Sequence, residues 1–299
     1  MLDQVLYRLF LVFVKLMQVL PKKIRRAFFF LLSRIVYLFA NKTNKIIKAN
    51  LDFVYDGKLS EKEIKEIQKY SYFNITLWVL SLIENLNVSD EELKENVSIE
   101  GEEILKDLKE QGKPVILISA HYGNIEMLGA YLNKFVTPLV QVARESNFKH
   151  IDDFIVQSRE KSGAKIVFRS GAVKRLVKAL MKKEVISLII DQNINDKEGT
   201  KVKFLGKEAY QTSTSAVLSR KFDAYIVPVA IFNQDDYKYK IKIYKPIEPM
   251  KTQNEEDDIL KSSQLQADAI SNIINECPKQ WFWSHKRFKF KNKEIYDFK

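Results

Sequence analysis

The chain has a single cysteine, Cys277, among 299 residues. No disulfide can form within it, which excludes a disulfide-stapled secreted scaffold and fits a reducing compartment. Histidine is also scarce, with three residues at 121, 150 and 285. Neither H-E-x-x-H nor C-x-x-C occurs, so no metal site is expected. With only nine glycines, the chain also lacks G-x-x-x-x-G-K-[ST], G-x-G-x-x-G and G-x-S-x-G. Nucleotide binding and a serine nucleophile on an elbow turn therefore have no support, and no cofactor is expected. After residue 40 nothing approaches the ~20 consecutive apolar residues of a membrane span, so a polytopic membrane protein is excluded.

What is present is a cationic excess with a location. The formal net charge is +11, yet residues 1–50 hold ten Lys/Arg against one acid, Asp3, and residues 270–299 hold seven against three. The remainder is close to neutral. Basic groups mixed with Leu, Phe and Val at a terminus point to an anionic membrane surface rather than to nucleic acid.

Residues 1–20, MLDQVLYRLFLVFVKLMQVL, are mostly apolar and close on Pro21. The run lacks the early positive charge and small-residue end of a signal peptide. On a helix, Gln4, Arg8, Lys15, Gln18 and Lys22 share one stripe, as in a helix lying in the lipid interface; a short span is the other possibility. A second apolar run, 27–40, comes after the cations Lys22, Lys23, Arg25 and Arg26, which place the downstream chain on the cytoplasmic side. The competing reading packs both runs as amphipathic helices on the globular body, although their apolar sectors look wide for a one-sided contact. The expectation is a membrane-anchoring segment 1–40 ahead of a domain 41–299.

Residues 41–112 read as a helical lead-in, with Ser60 and Glu63 forming a capping box. From 113 onward, short apolar runs at 114–120, 137–143, 165–168, 185–191 and 224–232 alternate with helical stretches near 124–134, 148–162, 171–183 and 212–222. Such alternation predicts an α/β fold with a mainly parallel central sheet flanked by helices. The strictly alternating YKYKIKIYKPI at 237–247 reads as a half-exposed antiparallel edge strand, and a helix near 255–276 precedes an aromatic-basic tail.

The densest chemistry lies in PVILISAHYGNIEMLGAYL. A buried strand ends at Ala120, and His121 stands next, at the strand's carboxyl end, where open α/β sheets place ligands. Asn124 is a plausible N-cap and Glu126 stands in the first helical turn. Five residues apart on one helix the two side chains diverge, but across a strand-turn-helix junction they can converge. Glu126 would then fix the imidazole tautomer and leave its other nitrogen as general base. From the spacing alone, a strand-capping histidine beside a solvated acid is the stronger reading.

The surroundings reverse that. H-x4-D/E directly after an apolar strand resembles the glycerolipid-type acyltransferases, and HYGNIE, with its Gly-Asn pair, resembles the late acyltransferases of lipid A biosynthesis, the lauroyl and myristoyl transferases. The resemblance extends through ANLDFVYDGKLSEKEI, QVARESN with Arg144, IIDQN with Asp191 and Gln192, the loop VKFLGKEAYQT, and PKQWFWSHKRFK. Ala143, Glu145, Ser146, Asn193 and Ile125 depart from the family's usual residues. The departures bear on acceptor and acyl length, not on the chemistry.

The resemblance implies transfer of a fatty acyl group from acyl carrier protein to a hydroxyacyl chain of a lipid A precursor, at the cytoplasmic face of the inner membrane. It makes His121 the base and Glu126 its orienter, with Asn124, Arg144, Asp191 and Gln192 facing substrate. Arg144 would meet phosphate or phosphopantetheine, or else pair with an acid such as Asp152; Asp191 would order Arg144 or the acceptor, or else cap a turn. A related acyltransferase acting on another membrane glycolipid or a lysophospholipid is the alternative. His285 is expected in an aromatic packing cluster rather than in the site.

Overall fold

The computed structural model describes residues 2–146 and 148–298, with side chains from Tyr7 onward. Two helices, α1 (Leu2–Val19) and α2 (Lys22–Phe39), lead into α3 (Asn41–Val54), α4 (Glu61–Glu84) and α5 (Asp90–Asn96). Next come β1 (Val97–Glu100), α6 (Glu102–Glu110), β2 (Val115–Ser119), α7 (Ile125–Tyr131), β3 (Leu139–Ala143), α8 (Lys149–Lys161), β4 (Lys165–Phe168), α9 (Ala172–Met181) and β5 (Val185–Ile189). The chain continues through β6 (Gly199–Phe204), β7 (Lys207–Thr212), α10 (Thr214–Phe222), β8 (Tyr225–Asn233), β9 (Tyr239–Ile243) and α11 (Glu255–Glu276).

Seven strands form one sheet in the order β1-β9-β8-β2-β5-β3-β4, parallel except at the β8–β9 junction. All five residues of β2 are buried, as its unbroken apolar run requires of a central parallel strand. Its alternate residues feed two cores. Ile116 and Ile118 join residues of α9 and α11 on one face, and Val115 and Leu117 join residues of α1, α7 and α8 on the other.

Three expectations are corrected. The alternating strand, β9, is antiparallel to β8 as read, but it is not an edge: β1 pairs with it in parallel through Val97↔Tyr239 to Glu100↔Lys242. β1 interrupts the stretch read as wholly helical; four residues between two helices are too few for a period of two to register. The family loop VKFLGKEAYQT folds as the β6–β7 hairpin, with Val202 opposite Ala209.

The N-terminal helices pack on the globular body along one side. Val14, Met17 and Phe29 are buried in the core, and Phe10 meets Phe154 edge-on. The opposite sides stay apolar and exposed: Leu9, Val12, Leu16 and Val19 on α1, and Leu31, Leu38 and Phe39 on α2. Among the described residues no helix is long and apolar enough to cross a membrane. Arg8 and Lys15 are exposed, as the polar stripe requires, whereas the side chain of Gln4 lies outside the described residues.

The cation cluster is mostly structural. Arg25 is buried, its Nε 2.9 Å from Glu84 Oε1 and its Nη1 donating to the Met17 carbonyl at 2.7 Å. Arg26 lies 4.1 Å over the Tyr237 ring, and Lys22 pairs with Glu92.

Candidate active site

Parallel pairing of β2 with β5 sets Ser119 beside Ile189. Two residues further along both strands, His121 and Asp191 therefore stand side by side at the carboxyl edge. The Asp191 carboxylate takes three donors: His121 Nδ1 at 2.8 Å on Oδ1, and the His121 backbone N–H at 3.0 Å and Trp281 Nε1 at 2.8 Å on Oδ2. Burial alone would raise this carboxyl, but the attraction of His121 and the three hydrogen bonds outweigh it and hold the pKa at about 2. Asp191 is thus a fixed anion that keeps the proton on Nδ1 and turns Nε2 outward.

At Nε2 the ring meets the side-chain amide of Gln192 at 3.3 Å. Gln192 is exposed, so an incoming group can displace it. Trp78 and Phe282 flank the imidazole with ring centroids at 6.1 and 5.8 Å, and Trp78 Nε1 donates to the Gly123 carbonyl at 2.6 Å. The result is an imidazole with one open nitrogen between apolar walls.

The turn after His121 carries its own constraint. Gly123 has φ +56, and a Cβ there would sit 1.9 Å from the Ile231 carbonyl oxygen, so the close pass of backbone on backbone requires glycine. Asn124 then caps α7, its Oδ1 accepting from Met127 N while its Nδ2 donates to Ser81 and Tyr239. It is completely buried. The N-cap reading holds, and the side chain's hydrogen bonds all go to neighbouring protein groups.

Glu126 is the main departure. It faces α8, where Arg159 grips both oxygens, Nε at 3.0 Å and Nη2 at 2.6 Å. Burial would lower the Arg159 pKa, but Glu126 outweighs it and raises it. The tight turn at Gly123 points the first turn of α7 at its neighbouring helix, so the expected convergence on His121 gives way to an ion pair that ties α7 to α8. A cavity opens beside this pair, lined by Leu128, Gln141, Val142 and Ile189.

Arg144 lies exposed just beyond β3. Among the described residues it has no ion pair, and Asp152 instead accepts from the Ser146 backbone N–H at 2.7 Å. The register Ala143↔Phe168 sets Arg144, at the end of β3 and two strands removed from β2, level with Arg169 just beyond β4.

The C-terminal tail is a part of the site that the sequence did not disclose. Besides Trp281 on Asp191, Phe282 N–H donates to the His121 carbonyl at 3.0 Å, and His285 Nε2 accepts from Asn193 N–H at 2.9 Å. Arg287, fully buried, donates to the Gln192 carbonyl at 3.2 Å and to the Tyr210 carbonyl. Burial pushes the His285 imidazole down to about 4 and the Arg287 guanidinium down to about 10. Asn50, from the ANLDF segment, anchors the tail by donating to the Trp283 and His285 carbonyls at 2.7 and 2.8 Å. The motifs were visible in the sequence, but not their contact.

A sequence model of the family described as bacterial lipid A biosynthesis acyltransferase matches residues 1–290. The chain belongs to this family. It is an acyltransferase. Among curated relatives, it is 23% identical over 264 residues to the lipid A biosynthesis lauroyltransferase of Escherichia coli K12, covering 86% of this chain and 83% of the relative. It is 25% identical over 181 residues to the lipid A biosynthesis palmitoleoyltransferase of the same organism, covering 60% of this chain and 57% of that protein. A lipid A biosynthesis acyltransferase of Shigella flexneri matches to the same extent.

Proposed function

We propose that this acyltransferase moves a fatty acyl group from acyl carrier protein to the free hydroxyl of a hydroxyacyl chain on a lipid A precursor, with His121 as general base and Asp191 as its orienter. The observation that carries the assignment is the His121–Asp191 hydrogen bond at 2.8 Å with Nε2 left facing the open edge of the sheet. The acceptor hydroxyl displaces the Gln192 amide and gives its proton to Nε2 as its oxygen attacks the thioester carbonyl carbon. Asp191 stabilises the imidazolium so formed. Collapse of the tetrahedral intermediate breaks the carbon–sulfur bond, and the leaving thiolate takes the proton back from Nε2. No enzyme nucleophile and no cofactor enters this sequence.

In this reading Glu126 and Arg159 do not touch the reacting atoms; they hold α7 and α8 in the arrangement that presents His121. Trp78 and Phe282 offer apolar walls to the acyl chain. Arg144 and Arg169 form the cationic part of the same edge, suited to a phosphate on the acceptor or on the donor's pantetheine arm.

The exposed apolar sides of α1 and α2 support placing the enzyme on a membrane surface, at the cytoplasmic face of the inner membrane, by insertion of one helical face rather than by a span. The precursor's acyl chains are embedded there. Mass spectrometry of lipid A from a strain lacking the gene tests the whole reading. One missing secondary acyl chain, restored by the wild-type gene and not by His121→Ala, is expected; an unchanged lipid A would overturn it.

A further inference from the structure

Outside its termini the chain carries almost no net charge, but the fold gathers cations on one helix. From Lys161 to Lys183 there is no Asp or Glu. Leu176, Ala179 and Leu180 of α9 are buried against the sheet, while Lys174, Arg175 and Lys178 are exposed, as are Lys182 and Lys183 just beyond it. Among the described residues none of these five cations is in an ion pair, although acids elsewhere pair with Lys48, Lys134, Lys201, Lys240 and Lys242. An uncompensated row of like charges repels itself and is relieved by an acidic partner. Two large apolar side chains, Val173 and Met181, are exposed on the same helix at 59% and 72%.

Position selects the partner. α9 begins just after Arg169, at the carboxyl edge of the sheet where His121 stands, and Arg169 N–H donates to the Ala143 carbonyl next to Arg144. The helix lies on the sheet face of Ile116 and Ile118, whereas α1 packs on the opposite face with Val115 and Leu117. With the apolar side of α1 on a membrane, α9 is on the other side of the sheet from that contact. An acidic protein therefore fits it better than an anionic lipid surface.

We propose that the outer face of α9 is the docking surface for the acidic carrier protein that delivers the acyl thioester, with Arg169 and Arg144 leading from it to His121. The inference rests on the donor reading given under Proposed function. Its cations steer the encounter and Val173 and Met181 supply the apolar contact.

The test is the full-length variant Lys174→Glu/Arg175→Glu/Lys178→Glu, with Lys62→Glu/Lys65→Glu/Lys69→Glu on exposed α4 positions as a charge-matched control. KM is measured for acyl carrier protein and for acyl-pantetheine, which lacks the protein. The α9 variant is expected to raise KM for the carrier about 10- to 100-fold relative to acyl-pantetheine, with binding to phosphatidylglycerol vesicles unchanged; the control is expected to leave that ratio at the wild-type value. The milder pair Lys174→Gln/Lys178→Gln, should the triple variant fold poorly, is expected to flatten the salt dependence of the carrier's KM. A wild-type KM ratio and salt dependence in both α9 variants overturn the docking site, as does loss of vesicle binding with the ratio intact, which assigns the face to lipid. Wild-type enzyme that takes no acyl group from the carrier at all overturns the donor reading itself.

Discussion

Glu126 and Arg159 are joined by two hydrogen bonds, at 3.0 and 2.6 Å, across the α7–α8 contact. The acid five residues after His121 is thereby committed to holding two helices together, and the histidine takes its carboxylate from Asp191, 70 residues away in sequence. In the proposed mechanism H-x4-E thus combines a base with a framework residue.

The two acids separate by experiment. Asp191→Asn keeps the shape but loses the anion that fixes the tautomer, and should lower kcat by roughly 10³–10⁴-fold with little change in KM. Glu126→Gln leaves the half-buried Arg159 charge without its counter-ion, a loss of about 1–3 kcal/mol in folding stability, below that of a fully buried pair. Thermal melting alongside steady-state rates checks both: Asp191→Asn should be the larger loss in kcat, and Glu126→Gln the larger fall in Tm. A well-folded Glu126→Gln enzyme slower than Asp191→Asn would return Glu126 to the chemistry.

Acid should loosen the tail before it reaches Asp191. His285 is held neutral, with a folded pKa of about 4 against an ordinary 6.5. Between these values the unfolded chain binds the extra proton, so stability falls as pH drops from about 6.5 towards 4. From pH 7 to 5 this group alone costs about 2 kcal/mol. Asp191 acts lower, its depressed pKa of about 2 giving stability that is full above 3.8 and lost as pH falls towards 2. Denaturant melts at pH 7 and pH 5 check the first window. His285→Gln, which keeps an acceptor without a titrating ring, should show a smaller difference between the two.

Membrane binding should track the exposed apolar side chains rather than the helices as a whole. Removing residues 1–22 would also strip Val14 and Met17 from the core. Point changes are cleaner: Leu16→Glu with Val19→Glu on α1, or Leu31→Glu with Phe39→Glu on α2, should release most of the protein from anionic vesicles. Each exposed apolar side chain contributes on the order of 1 kcal/mol to insertion, and a charge in its place opposes it. Melting should change little, because these side chains are exposed in the fold. Vesicle flotation of the folded variants reads the result, and undiminished flotation would move the contact elsewhere.

Much was legible locally because the signals are local. Period-2 and unbroken apolar runs gave β2 to β5 and β8 to within a few residues, the Ser60–Glu63 capping box began α4, and the apolar strand before His121 gave the edge at which the imidazole stands. These patterns depend on how one segment meets its own neighbours in the chain and which face it buries. The partners were not legible in this way. Which strand lies beside β2 depends on how the crossover helices pack, and only that register brings Asp191 to His121; Trp281 reaches the same carboxylate from 90 residues further along. Arg25 carries the same charge as its neighbour Lys23, yet burial against Glu84 makes it a core residue while Lys23 stays exposed. The sequence alone determined the segments, their periods and the edge that bears His121. Only the tertiary structure decided which distant side chains share that edge, because hydrogen bonds across a parallel sheet join residues whose separation in the chain leaves no periodic trace.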